Sequence, residues 1–176
     1  MPAPKLVSLD AYGTLIEPKR DVGAIYRSVF YKHFPTIEEN QLQSALFLSS
    51  LSRAMKAISR SHPCYGGATN LPCAEWWRRV IRETYVAMNS HIPQLKAEQV
   101  DSSLDSMFHD LYYGVFSAVS EWKVRDQALD TLEALRQWKA TRDPDLKVGV
   151  ISNFDDRLPL LLKGPLSVRH CLRLSV

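Results

Sequence analysis

Long apolar runs are absent from this sequence, and so are blocks of like charge; cysteine is scarce. The opening MPAPKLVSLDAYG holds no stretch of the length that a signal peptide or membrane span requires, so no membrane association is expected. The net charge of +3 is scattered, with no run of five or six basic residues, which argues against a nucleic-acid partner. Three cysteines, Cys64, Cys73 and Cys171, make no even disulfide framework, and a reducing compartment, cytoplasm or nucleus, is expected. There is no internal repeat and no low-complexity segment. What remains is 176 residues, 45% apolar and 23% charged: the balance of an ordinary globular chain, with room for one domain and a modest insertion but not two large domains.

Lys5 to Asp10 (KLVSLD) is β-branched and apolar enough to predict a short buried strand, which Gly13 ends in a tight turn. From Asp21 to about Trp122 the apolar positions fall at helical spacing, as in Val22, Ile25, Tyr26, Val29 and Phe30, and no strand is expected there. Breaks at Phe34-Pro35-Thr36, at Ser61 to Pro72 and at His91-Ile92-Pro93 divide this stretch into about four helices. Asp126 reads as the N-cap of a helix to about Ala140, with Leu129, Leu132, Leu135 and Trp138 along one face. Asp143-Pro144-Asp145 ends it, Leu146 to Ile151 predicts a second strand, and Arg157 to Leu162 a further helix. Strand, helix and strand in that order predict part of an α/β layer fold.

The carboxyl end of a strand is where open α/β sheets place their ligands, and Asp10-Ala11-Tyr12-Gly13-Thr14-Leu15 sits there. A carboxylate at Asp10 can attack phosphorus or carbon to give a covalent aspartyl intermediate, with amides of the Gly13 turn and the Thr14 hydroxyl facing the transferred group. On its own, the same pattern also describes an aspartate capping a turn. Ser152-Asn153, closing the second strand, can donate to a phosphoryl oxygen held beside the first, or can be turn chemistry.

Taken together, the two segments resemble the first and second motifs of the haloacid dehalogenase (HAD) superfamily, a strand followed by D-x-x-G-T-[LV] and a strand followed by [ST]-N. The run Ser152-Asn153-Phe154-Asp155-Asp156-Arg157-Leu158, with weaker support from Glu75-Trp76-Trp77, resembles one branch of it. The resemblance covers residues 5 to about 162. It implies an α/β fold: an incomplete HAD-like, Rossmann-like parallel sheet with an inserted helical cap. Residues 1–20 and 123–163 would form the partial core, 21–122 the cap, and 164–176 an atypical tail.

The resemblance further implies that Asp10 is nucleophile and Mg²⁺ ligand and that the Tyr12 carbonyl is a second ligand. Gly13, Thr14, Ser152 and Asn153 would bind the phosphoryl group of a small-molecule substrate. Phosphatases of the superfamily place a second aspartate, as general acid, where this chain has Tyr12. A phenol with a reference pKa near 10 is a poor proton shuttle at neutral pH. A halide leaving group needs no proton, so a dehalogenase-type reaction escapes this objection.

The third-motif lysine and the fourth-motif acidic pair of the superfamily have no counterpart. Lys163 is the lone downstream lysine, too near Ser152, and reads as the end of the helix begun at Arg157. Asp155 and Asp156 read as carboxylates at a helix N-terminus rather than metal ligands. The alternating tail GPLSVRHCLRLSV could form a strand but does not continue the pattern, and a frameshifted or alternatively spliced end is the expected account. The first strand would then keep an open apolar edge, inviting self-association. His62, Cys64 and Cys73 match no common zinc spacing. Trp76, Trp77, Tyr85, Phe108, Tyr112, Tyr113 and Phe116 either pack the helices or line a pocket. Two functions stay open: a hydrolase acting through Asp10 on a small phosphorylated or halogenated metabolite, and a catalytically inactive fragment or isoform that binds.

Overall fold

The computed structural model describes residues 5–38, 42–92 and 95–167, with side chains as far as Leu162. In chain order its main elements are β1 (Leu6–Leu9), β2 (Ile16–Pro18), α1 (Val22–His33), α2 (Ser44–Ser61), α3 (Cys73–Val86), α4 (Ala97–Phe108), β3 (Trp122–Val124), α5 (Asp126–Thr141), β4 (Lys147–Val150) and α6 (Leu158–Ser167). The fold is mixed α/β. The chain forms two compact units, one from residues 20–117 and the other from the segments up to Lys19 and from Ala118 onward.

The helical unit forms where local signals agree. Asp21 caps α1 by accepting the Ala24 N–H at 2.8 Å, and the helix stops at Phe34, before Pro35, with Lys32 and His33 in its last turn. The expected breaks separate α1 from α2, α2 from α3, and α3 from α4. Past α4 the chain winds more loosely, as π-helix, over His109–Phe116. The core is aromatic: Phe30 lies 5.4 Å from Phe47 and 5.7 Å from Tyr85, ring centre to ring centre, and all three are fully buried. Burial pushes the Tyr85 phenol well up, so it stays protonated and donates to the Tyr26 carbonyl at 3.0 Å. A Cβ at Gly23 would stand 2.3 Å from the Ser44 carbonyl oxygen, so only glycine lets α1 approach the start of α2 this closely.

The α/β unit departs from expectation in several places. β1 pairs parallel with β4, Leu6 opposite Lys147 through Leu9 opposite Val150, but it is not a buried strand. Among the described residues the sheet has two strands, too few to bury both faces, and Leu6 is 61% and Ile151 69% exposed. A second ladder, β2 antiparallel to β3 with Glu17 opposite Lys123, was not anticipated. Three residues a side are too short for any period-2 pattern to show. Asp126 is the first residue of α5 rather than its cap; Arg125 holds the cap position, without a capping side chain. Of the α5 apolar stripe, Leu132 and Leu135 are half-buried while Leu129 and Trp138 are exposed. Helix α6 runs on to Ser167, so Lys163 does not end it and residues 164–167 are helical rather than extended. The rest of the tail, 168–176 with Cys171, lies outside the described residues.

Candidate functional site

Strand register places the two chemical segments side by side. Leu9 is opposite Val150, and the Ile151 N–H donates to the Leu9 carbonyl at 3.0 Å, so Asp10 and Ser152 leave the carboxyl ends of adjacent parallel strands. The Asp10 carboxylate is exposed and accepts the Ala11 N–H at 2.7 Å.

After Asp10 the chain reverses in a compact turn. The Ala11 carbonyl accepts from Leu15 at 2.8 Å and Ile16 at 3.0 Å, and the Gly13 N–H donates to the Ile16 carbonyl at 2.9 Å. Gly13 sits at φ +75°, where glycine is the undemanding choice. The Gly13, Leu15 and Ile16 amides therefore donate within the turn itself. Thr14 stands exposed on the turn.

Tyr12 is also exposed, at 48%, but its ring is not isolated. It lies 6.2 Å from Trp122 in an edge-on contact and 6.2 Å from Phe154. Trp122 and Phe154 are themselves 5.7 Å apart. Both were missed in the sequence: a buried Trp at the start of a three-residue strand carries no signal of what it packs against.

On the other strand end, the Ser152 Oγ accepts the Phe154 N–H at 3.3 Å. A hydroxyl that accepts in this way still has its proton to donate, so the turn role and a ligand role are compatible. Asn153 is exposed. Asp155 and Arg157 form a buried pair, with Arg157 Nε donating at 2.8 Å to Asp155 Oδ1, Arg157 Nη2 donating to Oδ2, and the Arg157 N–H donating to Oδ1 at 3.1 Å. The Asp155 carboxylate thus lies ahead of α6 as expected, but its main partner is a side chain two residues on. Asp156 is exposed.

Arg125 is the remaining residue here that the sequence did not single out. Its Nη1 donates to the Gly13 carbonyl at 2.7 Å, and its backbone N–H donates to the Leu15 carbonyl at 3.0 Å. Glu17 forms ion pairs with both Arg125, at 3.3 Å, and Lys123, at 3.1 Å.

For a divalent cation, Asp10 offers a carboxylate and Tyr12 a backbone carbonyl. Among the described residues, Asp10 is not part of any group of three or more ligand side chains gathered within metal-binding distance. Two oxygens fall well short of the roughly six that Mg²⁺ takes, so the described residues alone do not build the site.

In the helical unit, both ring nitrogens of His62 are engaged, Nδ1 with the Thr69 hydroxyl at 2.9 Å and Nε2 with Arg79 at 3.0 Å. Cys64 is exposed and Cys73 half-buried. Trp76 and Tyr85 are buried in the helical core, as packing residues would be. No helix among the described residues is long and apolar enough to cross a membrane.

The parallel pair carries an aspartate and a Ser-Asn at its carboxyl end, and by sequence the chain is similar to haloacid dehalogenase-like hydrolases. It is 30% identical over 160 residues to haloacid dehalogenase-like hydrolase domain-containing protein 3 of Mus musculus, covering 91% of this chain and 56% of that protein. The Homo sapiens protein of the same name is 30% identical over 161 residues, with the same coverage. The Rhythmically expressed gene 2 protein of Drosophila melanogaster is 24% identical over 162 residues, again 91% and 56%. No protein-family model matches the chain. The resemblance read from two short motifs thus extends over nine-tenths of the sequence, while the chain spans little more than half the length of these relatives.

Proposed function

We propose that the chain carries the nucleophile half of a HAD-like hydrolase site, with Asp10 attacking a small phosphorylated or halogenated metabolite. The observation that supports this most is the parallel register of β1 and β4, from whose adjacent carboxyl ends leave Asp10, with an exposed carboxylate, and Ser152, whose hydroxyl still has a proton to donate. In the phosphoryl case, one Asp10 oxygen forms a bond to phosphorus as the bond to the leaving oxygen breaks, giving an aspartyl phosphate. Water then attacks the phosphorus of that acyl phosphate, releasing inorganic phosphate and restoring the carboxylate. Ser152, with Thr14 and Asn153, would donate to the oxygens on which charge gathers.

At carbon, the same attack expels halide and leaves an aspartyl ester for water to cleave. The carbon reaction suits this site better in one respect. A phosphate ester's leaving alcohol needs a proton, and Tyr12, the residue positioned to give it, is a phenol packed on Trp122 and Phe154. Mg²⁺, which the resemblance implies, would meet Asp10 and the Tyr12 carbonyl among the described residues, so no step is assigned to it. When bound in such a site, it would offset the charge of the carboxylate and the phosphoryl group.

The test is hydrolysis of an aryl phosphate and of a 2-haloacid by the purified chain and its Asp10→Asn variant, each with and without added Mg²⁺. Activity in the parent that falls by at least about a hundredfold in the variant supports the reading. Equal rates in both, or none in either, overturn it for this chain.

A further inference from the structure

We infer that Arg125 is a positioning residue for the Asp10 turn, holding the loop that carries the carboxylate without touching substrate. The inference rests on the reading of Asp10 as nucleophile and adds the group that fixes its loop. The turn from Asp10 to Ile16 is closed mainly by its own backbone, with the Ala11 carbonyl accepting from Leu15 and Ile16. These bonds set the curvature, and they use the Ala11 and Ile16 carbonyls rather than that of Gly13. The Gly13 carbonyl, turned outward by the left-handed backbone at φ +75°, receives the Arg125 guanidinium at 2.7 Å.

The attachment is double, because the Arg125 backbone N–H also donates to the Leu15 carbonyl at 3.0 Å. The backbone link survives any replacement except proline, so the side-chain link can be removed separately. Glu17, on β2, lies 3.3 Å from the same Nη1 as an ion-pair partner. A planar guanidinium with several fixed donors can serve a carbonyl and a carboxylate at once, whereas an ammonium does so with less directional control.

The Arg125–Glu17 pair is partly exposed, its side chains 35% and 32% accessible, so its contribution to overall stability is small. Its consequence is geometric. A nucleophile must be held in attack geometry, and a displacement of about 1 Å can cost on the order of a hundredfold in rate. Lys123 supplies an internal control, since it shares Glu17 at 3.1 Å from its place opposite that residue on the β2–β3 ladder.

The experiment compares the parent chain with Arg125→Ala, Arg125→Lys and Lys123→Ala by two readouts. Amide hydrogen exchange at Leu15 and Ile16, whose N–H groups close the turn, reads loop order directly. Expected is exchange at least about fivefold faster in Arg125→Ala, an intermediate rate in Arg125→Lys, parent rates in Lys123→Ala, and unchanged thermal midpoints. Where the parent hydrolyses its substrate, Arg125→Ala lowers kcat about tenfold or more with KM nearly constant, and Lys123→Ala does not.

Parent-like exchange in Arg125→Ala, or equal acceleration in Lys123→Ala, overturns the inference. A parent that hydrolyses nothing overturns the nucleophile reading instead, and the exchange data still decide whether Arg125 orders the turn.

Discussion

Removing the Asp155 carboxylate while keeping Arg157 should unfold the α/β unit far more than removing both. The Arg157 side chain is 9% accessible and that of Asp155 2%, so the pair is desolvated on both sides. Asp155→Ala deletes the acceptor of three N–H groups, at Arg157 Nε, Nη2 and the backbone, and leaves a buried guanidinium without its carboxylate. Loss of one partner from such a pair costs about 3–5 kcal/mol, whereas replacing both with apolar groups of similar volume is often close to neutral. The single variant should therefore lose at least about 3 kcal/mol, and Asp155→Ala with Arg157→Met should recover about 2 kcal/mol of it. With a urea slope near 2 kcal/mol/M, the single variant's midpoint moves down by roughly 1.5 M. The assay is hydrogen exchange in increasing urea, read at the Lys147 and Ile151 amides, which donate to the Lys5 and Leu9 carbonyls across the β1–β4 ladder. Those bonds report the α/β unit without interference from the helical core. A single variant within about 1 kcal/mol of the parent, or a double variant no more stable than the single, would refute the reasoning.

Phe47→Ala, at a fully buried ring among Phe30 and Tyr85, should destabilise the helical unit by about 3–5 kcal/mol in chemical denaturation. Tyr85→Phe removes only the hydrogen bond to the Tyr26 carbonyl and should cost about 1 kcal/mol in the same measurement. At Asp110, burial acts to raise the carboxyl, but hydrogen bonds from Lys32 and His33, each 2.7 Å, outweigh it and hold the group below its ordinary value. A depressed carboxylate stabilises the fold above its unfolded pKa, near 4, and loses that contribution as pH falls through its folded value. Asp110→Asn should therefore flatten the acid limb of the stability curve below about pH 4 and leave its shape unchanged between pH 5 and 7.

The helical unit was legible because its signals are local and repeated. Val22 to Phe30 carries a 3.6-residue period between an Asp cap and a Pro stop, and the structure returns α1 within a residue or two of that reading. The β1–β4 pairing was legible for a different reason, since each strand ends in a residue with recognisable chemistry. What escaped was structure made by pairing at a distance. β2 and β3 are three residues each and exist because Ile16 meets Val124, a relation that no window along the chain contains. Arg125 looked like any surface basic residue, and its partner Gly13 lies more than a hundred positions away. Asp155 was placed correctly ahead of α6, yet its burial against Arg157 has no sequence signature, because an i, i+2 pair is common in exposed turns as well.

The β2–β3 ladder also bears on how the chain folds. Leu6 must find Lys147, roughly 140 positions on, before the parallel pair can form. The intervening helical unit makes its core contacts among its own residues, 25–111, and needs neither strand to do so. Once it has formed and β2 has met β3, the loop left to close shrinks to about 30 residues. The (3/2)RT ln n dependence of loop closure makes that final search easier by about 1.4 kcal/mol, roughly tenfold in probability. Three residue pairs between Ile16–Pro18 and Trp122–Val124 thus act as a kinetic shortcut, and mutations there should slow folding of the parallel pair more than they hasten its unfolding.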